Sequence, residues 1–63
     1  MRVKECLRMY GFTLISTDAE RPKGWKKIFI DDKEYEPVKA YDIGDRIALR
    51  GEHDLQGKSI TFL

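Results

Sequence analysis

The segment Arg21-Pro22-Lys23-Gly24-Trp25-Lys26-Lys27 gathers four cations around the only tryptophan of the chain. Such a group suits nucleic acid, because Lys and Arg neutralise phosphates while an indole face stacks on an unpaired base. Arg46 and Arg50, on the polar side of an alternating stretch, extend the same candidate surface. A structural role competes with this one: Trp25 would cap the core, and the lysines would protect a sheet edge by charge.

A second segment, Gly51-Glu52-His53-Asp54-Leu55-Gln56-Gly57-Lys58-Ser59, resembles a phosphate-binding loop in its glycines, lysine and serine. The resemblance fails on spacing, since five residues and not four separate the glycines. It fails again after Ser59, where a β-rich stretch replaces the helix whose N-terminus would receive a phosphate. The segment reads as a connection between strands. His53 lies between two carboxylates and can be imagined in acid–base work, but tetrahedral zinc wants several His or Cys ligands and this chain has one of each. Cys6 occupies an apolar position, where a thiol usually serves as a small hydrophobe. Asp31, Asp32, Asp42 and Asp45 fall in turns, where Asp ordinarily satisfies backbone groups. No catalytic residue, cofactor or metal is therefore expected.

These side chains must be positioned by a domain of 63 residues with one cysteine and hence no internal disulfide. A chain of this size buries only about 60% of its unfolded surface, so a partner subunit is a natural further support. The missing disulfides, the mixed charges of the first ten residues and the lack of any membrane-length apolar run lead to a cytoplasmic expectation. Net charge is +1. Its distribution is uneven: residues 1–27 carry seven Lys/Arg against three Asp/Glu, whereas residues 28–63 carry five against eight.

Val3, Cys6, Leu7 and Tyr10 recur at helical spacing, which predicts a short N-terminal helix closed by Gly11. Strands are predicted at 12–17, 25–30, 35–41, 46–50 and 59–63 from their β-branched and aromatic content. The second and third read as a hairpin around Asp31-Asp32-Lys33-Glu34, with Pro37 confined to an edge or a bulge. The expected fold is thus α+β over residues 1–63: a short N-terminal helix on a curved antiparallel sheet of about five strands, partly open in the manner of an SH3-like or OB-like barrel. Phe29, Tyr35, Val38, Tyr41 and Leu55 add more large apolar side chains than one face of such a sheet needs. The surplus predicts a non-enzymatic interaction module acting through protein contacts, either as a homodimer or as an accessory subunit. The alternative is a nucleic-acid-binding module centred on Trp25.

Overall fold

A computed structural model describes all 63 residues. Its strands are Val3–Met9 (β1), Phe12–Thr17 (β2), Ile28–Ile30 (β3), Lys33–Tyr35 (β4), Ile47–Arg50 (β5) and Ile60–Phe62 (β6), with a single 3-10 turn at Lys39–Tyr41. They form two antiparallel three-stranded sheets, ordered β1-β2-β5 and β4-β3-β6. The sheets also meet along their edges. The Val3 N–H donates to Lys58 O (2.9 Å) and the Ile60 N–H to Met1 O (2.8 Å); on the other side the Val38 N–H donates to Ala48 O (2.8 Å) and the Arg50 N–H to Glu36 O (2.9 Å).

The N-terminal segment is a strand and not the expected helix, so the fold is nearly all β, and six strands in two three-stranded sheets replace the single curved, barrel-like sheet of about five strands expected from the sequence. A bulge explains the misleading spacing. Val3 pairs with Thr17 and Glu5 with Ser16, so Lys4 is an extra residue on β1. That extra residue brings Val3 and Cys6, three positions apart, to the same inner side, where an unbroken strand would send them to opposite faces. Gly11 closes no helix either. With Tyr10 it forms a two-residue hairpin loop, both residues at positive φ (52° and 80°) as a type I′ turn demands.

Four of the five predicted strands are shorter than expected, the second and third most of all. Trp25–Lys27 precedes β3 without strand pairing, its Lys26 and Lys27 N–H groups donating to Leu63 O at 2.7 and 2.9 Å. The 35–41 stretch contributes only Tyr35 to β4, after which Pro37 makes an isolated bridge to Leu49 and the chain coils into the 3-10 turn. The hairpin between β3 and β4 is present, turning on Asp31 and Asp32, again both at positive φ.

Eight aliphatic side chains form the core between the sheets: Val3, Ile15, Ile28, Ile30, Ile47, Leu49, Leu55 and Ile60. Cys6, Trp25, Tyr35 and Phe62 pack at its margins. The loop after β5 is tied down over one end. Thr13 Oγ1 donates to Gly51 O (2.6 Å) and accepts from the His53 N–H (2.9 Å), while the Gly11 N–H donates to Glu52 Oε2 (2.9 Å). Leu55 reaches the core from this loop, which accounts for its burial.

Candidate functional site

Strand β2 is buried on both of its faces, at Thr13, Leu14, Ile15 and Ser16 alike. Thr13 and Ile15 face the core, so Leu14 and Ser16 must be covered from the outside. The pairing register lays out that outer face in rows across the sheet. Leu7, Leu14 and Ala48 form one row, and Met9, Phe12 and Arg50 the next. A strap consisting of the 3-10 turn and the residues after it covers part of these rows. The strap is anchored by Asp42, whose Oδ1 accepts the Ala48 N–H at 2.9 Å, and by Phe12 and Tyr41, whose ring centroids are 4.7 Å apart.

The strap leaves an open groove. Its volume is about 370 Å³, and Met9, Tyr10, Phe12, Leu14, Ala40, Tyr41 and Ile43 line it together with Asp42, the only charged residue there. Tyr10 is 91% exposed, Ile43 61% and Tyr41 55%. Leu7 and Met9 are exposed beside them on the same face of β1. These residues form an apolar surface that the chain itself does not cover, while the core proper lies on the other side of the sheet.

A second hollow, of about 400 Å³, lies across the 3-10 turn and is lined by Arg21, Pro22, Lys23, Gly24, Trp25, Lys39 and Asp42. Three of the sequence-derived candidates, Arg21, Lys23 and Trp25, therefore share one surface. Trp25 itself is half-buried against the core. Its indole packs on Phe62 at 5.0 Å between centroids, and the Lys39 ammonium stands 5.2 Å from the ring centre. That placement fits a structural role for the indole, although the cations around it stay exposed or half-exposed.

The other candidates lie outside this hollow. Lys26 and Lys27 are exposed on the segment beside Leu63. Arg46 Nη2 donates to Glu5 Oε1 (3.0 Å), and Arg50 Nε to Glu36 Oε2 (2.6 Å), so both arginines are engaged in ion pairs. Sequence reasoning missed Lys39, because it lies fourteen positions from Trp25, and Tyr10, because a helix end was expected there.

His53 and Cys6 come together only through the backbone. Cys6 Sγ donates to His53 O (3.4 Å), whereas the imidazole meets Tyr35 edge-on at 4.9 Å and its Nε2 lies 3.1 Å from Arg50 O. No three His, Cys, Asp or Glu side chains converge as a metal site, and no helix is long and apolar enough to cross a membrane. Compared with known proteins, the chain matches no family model, no curated relative and no solved structure.

Proposed function

We propose that this protein is a small non-enzymatic interaction module that docks another protein in the groove between the β1–β2 hairpin and the strap. The observation that carries this reading is the apolar outer face of the first sheet, half covered by the strap and half open, with Tyr10, Tyr41 and Ile43 at its rim. Contiguous exposed apolar patches mark protein interaction sites, and aromatic side chains are enriched in such interfaces. Tyr10 adds support of a different kind. The first position of a type I′ turn favours Asn or Gly, and a bulky residue at positive φ is a backbone outlier. Here an aromatic ring holds that position while making almost no burial of its own, which suits a ring kept for contact with a partner. The lone, half-buried cysteine is compatible with a reducing, cytoplasmic setting.

The nucleic-acid reading stands second. The cations beside Trp25 favour it, but Phe62 and Lys39 already occupy the surroundings of the indole, and the apolar groove next door offers a phosphate only the carboxylate of Asp42.

Two measurements test the docking reading. Light scattering at increasing concentration decides whether the partner is a second copy, in which case the mass doubles from 7.4 kDa and the Ile43→Asp variant restores the monomer. If the mass stays monomeric, a photo-crosslinking side chain in place of Ile43 is expected to give one discrete adduct in the producing cells. The same group in place of Lys33 on β4 is expected to give none. Monomeric mass together with equal labelling at both positions sinks the reading.

A further inference from the structure

The groove and the cationic hollow are separated by a single turn of 3-10 helix. Lys39 faces the hollow, Ala40 and Tyr41 line the groove, and Asp42 borders both. We infer that the two concavities form one bipartite site for a protein segment in which an apolar anchor is followed or preceded by acidic residues, the anchor seating in the groove and the carboxylates meeting Arg21, Lys23 and Lys39. This rests on the docking reading and adds the chemistry of the partner to it.

Charge complementarity argues for the acidic segment. Three cations line the hollow against one carboxylate, and that carboxylate is already engaged through Oδ1 with the Ala48 N–H. Arg46, Arg50 and Lys58 elsewhere on the surface are paired with Glu5, Glu36 and Asp31. Arg21, Lys23 and Lys39, like the six remaining Lys and Arg, form no ion pair within the chain, and what sets them apart is that they converge on one hollow, where their charge is available together to a partner. Lys39 rests over Trp25, which holds its long side chain at the boundary between the two concavities. A stretch of polynucleotide would satisfy the hollow but would have to lay its neighbouring phosphates along a groove whose one charged residue is an acid. An apolar-acidic peptide satisfies both halves.

The arrangement separates the contributions of the two halves. Apolar burial in the groove supplies affinity that salt does not weaken, whereas the exposed cations supply selectivity and faster encounter that salt screens. Asp or Glu at the right distance from the anchor is therefore distinguished from Asn or Gln mainly at low ionic strength.

The test uses synthetic peptides on the intact labelled chain, followed by amide NMR and by the fluorescence of Trp25, the only tryptophan. One set carries Leu and Phe anchors followed by three Asp, a second reverses that order, and matched controls replace Asp by Asn or by Lys. The Asp peptide of one order is expected to bind about tenfold more tightly than its Asn control at low salt, in line with one charge-assisted contact. Shifts should fall on both concavities, and the preference should collapse at high salt. Lys23→Glu combined with Lys39→Glu should erase the preference and leave binding of the Asn peptide in place, with a dispersed spectrum confirming that the variant is folded. Ile43→Asp should weaken every peptide.

Equal binding of Asp and Asn peptides overturns the inference while leaving the docking reading standing. So does a crosslinked adduct at Ile43 with no peptide binding at all. A mixed-sequence single-stranded oligonucleotide that shifts the hollow, while the Asp peptides do not, overturns it in favour of nucleic acid.

Discussion

Gly51 shows how closely single residues are fitted in this chain. It sits at φ +84°, and a Cβ built there would come within 2.7 Å of His53 Nε2. The imidazole thus lies directly on the glycine backbone, between Arg50 O and the Tyr35 ring. Gly51→Ala should cost about 1–2 kcal/mol for the left-handed backbone alone, and more because the ring must move. Gly24 also has positive φ, but open space surrounds its Cβ position, so Gly24→Ala should lose only the backbone part. Thermal melts of the two variants should therefore differ, with Gly51→Ala lower by several degrees. Adding His53→Ala should narrow the gap, since it removes the collision. A larger drop for Gly24→Ala would contradict the close packing of His53 on Gly51.

At the level of elements, the β1–β2 hairpin holds the sharpest conflict between local preference and use. Tyr10→Asn gives the type I′ turn its favoured residue and removes a ring that is almost wholly exposed. The variant is expected to gain about 0.5–1 kcal/mol in denaturant unfolding and to lose adduct formation at Ile43, a trade of function for stability. A destabilised variant would show that the Tyr10 ring packs more tightly than its exposure implies. The same hairpin shows what the sequence could and could not convey. β2 was legible from its Ile, Phe and Thr and β5 from its alternation, as was the turn after β3, although only Asp31 and Asp32 of the four residues expected there make it, Lys33 and Glu34 belonging to β4. β1 was not, because its bulge sets Val3 and Cys6 three apart and because Leu7 and Met9 give its outer face apolar residues too. Periodicity cannot separate that pattern from a helix stripe. The basic segment at Arg21–Lys27 was legible as a cluster, whereas its neighbour Lys39 and the groove were not, since both depend on the strap folding back over the first sheet.

Across the whole molecule, stability depends on a small aliphatic core shared by both sheets. For 63 residues the total is on the order of 3–9 kcal/mol. Leu49→Ala, at a fully buried position that also bridges to Pro37, should cost about 2–5 kcal/mol and leave a substantial unfolded population at physiological temperature. Ile43→Ala, on the open groove, should move the melting temperature little. Comparable losses in the two variants would mean that the groove is part of the core and not a surface for partners. The pairing of Met1–Val3 with Lys58–Ile60 also bears on how the chain is made. Met1–Val3 have their partners far downstream in the chain, so this edge cannot close while residues 1–60 are still being synthesised. Until Ile60 emerges, the aliphatic core and the apolar hairpin face are both uncovered, and the nascent chain is at its most vulnerable to capture by chaperones or by its own neighbours on the same message.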